Sequence, residues 1–284
     1  MRDRIDPLIA DRAPWLFRPE AASRHARRVL DRLLGYERTV ALAGKFEHLP
    51  ARQIMDEMGR LVARRVEAEG LHHIPLHGPA LVVCNHPTGI ADGVILHHLL
   101  APMRPDLFFF ANNDILRVLP QMADLIAPVE WRQDRRSHAK ARETMAYTRR
   151  AVDKGRLGII FPSGRLAFRQ GLHLNERPWM GSAAMLARKF DLPVIPIHIT
   201  ARNSLMFYLF DRIHPTLRDI TLFHETLNKA RQPFCIRVGA PIAPDSLPRQ
   251  SEFATAMLRD TVMALGEPRP KGLRALPRQH RVRA

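Results

Sequence analysis

The chain has 284 residues, 46% of them hydrophobic, with 44 Lys and Arg against 28 Asp and Glu and a formal net charge of +16. That length suffices for one α/β domain with a helical extension, and no run of about eighteen uncharged apolar residues occurs to span a bilayer. So basic a balance calls for an anionic partner; with aromatics at only 7% and no RNP-type segment, zinc spacing or helix-turn-helix signature, an anionic membrane surface is expected and nucleic acid is not.

Residues 1–6 lack the apolar stretch of a secretory signal, and Cys84 and Cys235 do not make a disulfide framework. A reducing cytoplasmic setting is expected, with both thiols buried in strands. Ala22, Ala26, Val29, Leu30, Leu33 and Leu34 recur at helical spacing, with Arg24, Arg27, Arg28 and Arg32 on the other face and Gly35 as the stop. This predicts an amphipathic helix whose apolar stripe packs against the domain. Ile54, Met55, Met58, Leu61 and Val62 make a second stripe after Pro50, and Gly70, Pro75, Gly78 and Pro79 punctuate the entry to the first strand. From residue 80 the pattern alternates: strands at 81–85, 107–111, 157–161 and 194–199, and helices at 93–100, 138–152 and 181–190. A further strand is predicted at 234–238, and a last helix through Phe253, Met257, Leu258, Val262 and Leu265. The pattern predicts an α/β fold, a mixed, largely parallel sheet flanked by helices. Its parts are an N-terminal helical extension (1–65), the α/β domain (66–266) and a basic tail (267–284), where Pro268, Pro270 and Pro277 interleave with Arg269, Lys271, Arg274, Arg278, Arg281 and Arg283. The tail is expected to be disordered.

The segment His86-Pro87-Thr88-Gly89-Ile90-Ala91-Asp92 follows the apolar run 80–84 directly. It sets an imidazole and a carboxylate on one turn past a strand end, where open α/β sheets place ligand crevices. A histidine titrates near neutrality and can act as general base, while an aspartate on its other ring nitrogen fixes the tautomer and stabilises the imidazolium. No serine nucleophile is needed if an acceptor brings its own hydroxyl. Asn85, Gly89 and Gly93 read as turn chemistry. Three further blocks stand out: Phe161-Pro162-Ser163-Gly164-Arg165 after another apolar run; Val194-Ile195-Pro196-Ile197; and residues 125–132, ending in Trp131-Arg132 with Arg135 and Arg136 close behind. His72-His73 and His97-His98 do not suggest a metal, because adjacent histidines point different ways and no zinc spacing accompanies them. Residues 204–210, with Met206, Phe207, Tyr208, Leu209 and Phe210, read as a buried helix or as a segment that lines an apolar channel or dips into a membrane interface.

From about Val66 to about Pro241 these blocks resemble the lysophospholipid and glycerolipid acyltransferase family. That family's blocks are an Asn-His-x4-Asp turn, a block with a functional arginine, Phe-Pro-Glu-Gly and Val-Ile-Pro. The His–Asp spacing here is one residue longer. With residues 204–210, Ile213-His214-Pro215, Glu225-Thr226-Leu227-Asn228-Lys229 and residues 236–242, it is similar to the branch containing hemolysin-like and ornithine-lipid acyltransferases. Ser163 stands where the wider family has glutamate, and Arg165 falls one position before the usual arginine. The resemblance implies His86 as base, Asp92 as its orienting partner, and Arg132, Gly164 and Arg165 as acceptor-binding residues. No metal and no cofactor is implied; acyl-ACP or acyl-CoA, bringing an acyl carrier protein or coenzyme A thioester as partner, is the co-substrate. The implied activity is transfer of a fatty acyl group to a lipid acceptor by a cytoplasmic protein peripheral on the inner face of the cell membrane. The acceptor expected first is the hydroxyl of a lysophospholipid such as lysophosphatidate, with N- or O-acylation in ornithine-lipid synthesis as the alternative. Outside this class, the alternative is a non-enzymatic basic protein that binds anionic lipid or nucleic acid.

Overall fold

The computed structural model describes residues 1–130, 137–171 and 173–267, together with a two-residue strand at 281–282. Four helices come first: α1 (Arg2–Arg12), α2 (Ala21–Leu34), α3 (Tyr36–Phe46) and α4 (Ala51–Val62). Gly35 ends α2 in the left-handed region at φ +66°, where a residue without Cβ is unstrained. The stripe predicted on α4 is buried through Ile54, Met55, Met58 and Val62. The stripe on α2 is not packed as predicted: Leu34 is buried, but Val29 and Leu33 remain 51% and 48% exposed.

Beyond α4 the chain runs β1 (Val66–Glu69), β2 (Ala80–Cys84), α5 (Ile90–Leu100), β3 (Phe108–Asn112), α6 (Asp114–Val118), β4 (Ile126–Val129), α7 (His138–Asp153) and β5 (Leu157–Ile160). A separate antiparallel hairpin, β6 (Phe168–Gln170) and β7 (His173–Asn175), precedes α8 (Ser182–Phe190) and β8 (Val194–Thr200). Three short helices follow, α9 (Leu205–Ile213), α10 (Pro215–Ile220) and α11 (Leu222–Leu227), then β9 (Phe234–Val238), α12 (Ser251–Gly266) and β10 (Arg281–Val282). The main sheet has the order β10-β1-β9-β8-β2-β5-β3-β4. Strands β8, β2, β5, β3 and β4 are mutually parallel. Strand β9 pairs antiparallel with β8, β1 parallel with β9, and β10 antiparallel with β1. The sheet is thus mixed and mostly parallel, with helices on both faces.

Strand β2 is buried on both sides, which its unbroken apolar run allows. Val82 and Cys84 join one core with α4 and α5, while Leu81 and Val83 join a second with α8 and α12. Helix α4 packs on α5, so the N-terminal helices share the main core. Both cysteines lie in strands, Cys84 fully buried and Cys235 partly. In α12 the buried residues are Ala254, Leu258 and Val262, whereas Phe253 is 62% exposed and Met257 36%; the last helix therefore presents a narrower inner face than the sequence pattern suggests. Apart from Glu267 and β10, the expected disordered tail lies outside the described residues.

Candidate active site

Helix α5 begins at Ile90, three residues before the predicted start, and this places Asp92 within its first turn. The reason is local. Gly89 breaks the chain at φ +92°, ψ −128°, and the Asp92 carboxylate reaches back to accept the Gly89 N–H at 3.0 Å. It also accepts the Thr88 N–H at 2.9 Å and the Thr88 hydroxyl. A carboxylate there is favoured by the unpaired N–H groups of a helix N-terminus. Asp92 is fully buried, and His86 Nδ1 lies 2.9 Å from its Oδ2.

His86 is fixed from three sides. Its backbone N–H donates to Glu176 Oε1 at 2.8 Å; its carbonyl accepts the Ala167 N–H at 2.9 Å; and its ring stacks on Phe161 with centroids 4.2 Å apart. With Nδ1–H directed at Asp92, the lone pair sits on Nε2, which has no hydrogen-bond partner among the described residues. The side chain keeps 18% of its surface exposed. A buried carboxylate thus orients a partly exposed imidazole, the arrangement a general base requires.

Asn85 does not bond across its own turn. Its amide spans to β8, donating to the Ile199 carbonyl at 2.9 Å and accepting the Ile199 N–H at 2.7 Å. This extends the β2–β8 pairing past the strand and lets the chain peel away at His86. Glu176, reached through the β6–β7 hairpin, was not legible in the sequence: strands of three residues carry no apolar run, and Gly171 is their main turn signal. Burial pushes its carboxyl above the ordinary value, while the hydrogen bonds from His86 and Trp179 pull the other way. It supplies an acidic group beside His86 in a chain whose Phe161–Gly164 block holds serine at 163.

The Phe161–Arg165 turn runs beside the imidazole through Phe161. Gly164 is exposed at φ +58°, and Arg165 is exposed with no ion pair among the described residues. Arg132 lies outside the described residues. Among the described residues no group of three His, Cys, Asp or Glu converges to hold a metal. His97 is instead buried at the α4–α5 contact.

A buried carboxylate paired with an imidazole at the carboxyl end of a parallel strand defines a class of site, and known proteins resemble the chain that carries it. Residues 65–200 match the family model described as Acyltransferase. The lyso-glycine lipid O-acyltransferase of Phocaeicola vulgatus is 27% identical over 184 residues, covering 63% of this chain and 64% of the relative. A protein of the same name from Bacteroides thetaiotaomicron is 24% identical over 184 residues, covering 63% and 66%. The chain thus spans slightly less than two thirds of the length of these curated relatives. The crystal structure of the 1-acyl-sn-glycerophosphate (LPA) acyltransferase PlsC from Thermotoga maritima aligns with a TM-score of 0.49 and 12% identity, over 86% of this chain and 96% of that one. Over residues 65–200, within its α/β domain, the chain is thus similar to the acyltransferase family.

Proposed function

We propose that the protein transfers a fatty acyl group from an acyl carrier protein or coenzyme A thioester to the hydroxyl of a lyso-lipid. The observation that carries this reading is the hydrogen bond from His86 to the buried Asp92. Nε2 takes the proton of the acceptor hydroxyl as its oxygen bonds to the thioester carbonyl carbon. The C–S bond then breaks, and the leaving thiolate takes the proton from the imidazolium. The base contributes a factor of about 10²–10⁴, with positioning supplying more.

Lysophosphatidate is one acceptor of this class. A lyso-lipid with an amino-acid headgroup is the other, favoured by the relatives' printed name and by the longer His–Asp spacing, which is similar to the ornithine-lipid branch. Arg165, exposed beside the Phe161 turn, and Arg132 are the proposed contacts for an anionic headgroup, since guanidinium binds phosphate or carboxylate bidentately.

The test is transfer of radiolabelled acyl groups from acyl-ACP and acyl-CoA to lysophosphatidate and to lyso-glycine lipid. His86→Ala should lower kcat at least about 10²-fold while melting like the wild type, and Asp92→Asn should follow it in kcat. Near-wild-type kcat in a folded His86→Ala protein overturns the mechanism. No transfer to any acceptor, with retained binding to anionic vesicles, favours the non-enzymatic alternative.

A further inference from the structure

The stretch Glu225-Thr226-Leu227-Asn228-Lys229 has no part in the chemistry above, yet it holds an ion pair removed from solvent. Glu225 and Lys229 side chains are both 0% exposed, with Nζ 3.0 Å from Oε2. Burying two charges costs more than an apolar pair of the same shape would, so stability alone does not account for it. The carboxylate is fully engaged: it also accepts the Ser204 N–H at 2.9 Å and the Ser204 hydroxyl. Lys229 donates a second bond to Asn228 Oδ1 at 3.1 Å.

These bonds connect to the dyad by a short path. Ser204 caps α9 by accepting the Phe207 N–H, so Glu225 fastens the start of α9 to α11. One helical turn before Glu225, Leu222 packs with Leu166 over Gly89: a Cβ added at Gly89 would lie 3.6 Å from Leu222 Cδ2 and 2.9 Å from Leu166 Cδ2. Gly89 in turn donates its N–H to Asp92. Helix α11 also packs directly on α5.

We propose that the buried Glu225–Lys229 pair, with Ser204, is a positioning device for the His86–Asp92 dyad, seating Leu222 on the Gly89 turn and setting the charge felt by Asp92. This rests on the reading of His86 as base. Charged and titratable groups from α5, α9 and the hairpin act on one another around the pair. Asp92 on α5 acts on Lys229; Asp92, Glu225 and Arg169 of the hairpin act on Tyr208 of α9; Glu176 acts with Asp92 at His86. Burial presses Lys229 below its ordinary value, opposed by Glu225 and Asp92. Burial lifts Glu225, but the Ser204 bond and the Lys229 charge outweigh it and hold the carboxyl below the ordinary value.

The decisive measurement is the His86 titration, followed by NMR of its imidazole in the full chain and assigned with His86→Gln; it does not depend on turnover. Lys229→Met removes the cation of the pair, and the Glu225 charge left behind favours the imidazolium, so the His86 titration should move to higher pH. Glu225→Gln removes the anion, and the Lys229 charge left behind should move it to lower pH. Shifts of opposite sign show that the pair's charges reach the dyad, and the seating of Leu222 is read separately from kcat in a variant that carries neither charge. The double variant Glu225→Gln/Lys229→Met buries no charge, so it should fold even where the single variants do not. Its His86 pKa should return near the wild-type value, while kcat stays down at least about tenfold with the acceptor KM unchanged, an interaction lost only in the transition state. A folded double variant with wild-type kcat, or single variants with equal or absent His86 shifts, overturns the proposal. If instead His86→Ala itself keeps full activity, the reading of His86 as base is what fails.

Discussion

Asp92 receives hydrogen bonds from His86, Thr88 and Gly89 within one stretch of seven residues, and that locality is why the dyad is legible in the sequence. The carboxylate contact that orients the imidazole, and the bonds that hold that carboxylate, come from residues that are neighbours along the chain. Glu176, which holds the His86 backbone from 90 residues away, depends on a hairpin with no sequence pattern of its own. The two glycines of the turn look alike in sequence and differ in the structure. At Gly89 a side chain would meet both an unfavourable backbone at φ +92° and Leu166 at 2.9 Å. At Gly93 the nearest atom to an added Cβ is Phe109 Cε1 at 3.8 Å, an ordinary contact. Gly89→Ala should therefore cost about 1–3 kcal/mol in strain and, by displacing the Asp92 cradle, lower kcat at least about tenfold, which is worth about 1.4 kcal/mol of barrier. Gly93→Ala, in a helix interior, should leave kcat unchanged and gain about 0.5–1 kcal/mol. Equal kcat in the two variants would show that the turn does not hold the dyad.

Strands β2, β5 and β8 are legible because each is a short apolar run buried on both faces and bounded by turn residues. Helix faces are less so, since the 3.6-residue period says which side is apolar and not what covers it; hence Val29 and Leu33 on α2 face outward. The contact between α4 and α5 carries a buried polar group that periodicity does not flag. His97 on α5 is 1% exposed, its Nδ1 lacks a hydrogen bond, and Asp56 of α4 is 3.7 Å away, too far to supply one. Burial lowers its pKa from 6.5 to about 4, with Asp56 opposing and Arg52 and His98 adding to the shift. His198 on β8 is likewise lowered to about 4, by burial and by Arg237. Both bind a proton more readily when unfolded, so the stability they supply is full above pH 6.5 and is lost as pH falls toward 4. Each group contributes up to about 1.4 kcal/mol of lost stability per pH unit in that window. His97→Leu, which removes an unsatisfied buried atom, should match the wild type at pH 7 and lose less stability at pH 5 by urea denaturation; His97→Leu/His198→Leu should lose less still. Identical losses in wild type and both variants would contradict the assignment.

For the molecule as a whole, the formal net charge of +16 and one exposed apolar row bear on where it works. No helix among the described residues is long and apolar enough to cross a membrane. On α9, however, Leu205, Leu209 and Ile213 are 75%, 56% and 61% exposed, and their spacing of four puts them on one face. The sequence marked this segment without telling its two sides apart: Phe207 and Tyr208, which look like membrane anchors, are buried. Helix α9 and the His86 turn leave the carboxyl ends of neighbouring parallel strands, β8 and β2, so the row lies at the site's end of the sheet. If the protein docks on an anionic membrane, attachment has two separable parts. Cations supply a screened attraction, on the order of 1 kcal/mol each near the surface, which weakens as salt shortens the Debye length to about 3 Å at 1 M. The α9 row supplies a part that survives salt. Leu205→Ser/Leu209→Ser/Ile213→Ser touches no buried residue and should fold. It should lower co-sedimentation with phosphatidylglycerol vesicles at high salt at least about tenfold, since burying one such side chain is worth about 1.5 kcal/mol or more. Truncation after Glu267 should weaken binding at low salt only and leave turnover on detergent-dispersed substrate unchanged. Binding to phosphatidylglycerol and phosphatidylcholine vesicles that is equal, and indifferent to salt, would rule out the electrostatic part; a triple serine variant that binds like the wild type at high salt would rule out the α9 row.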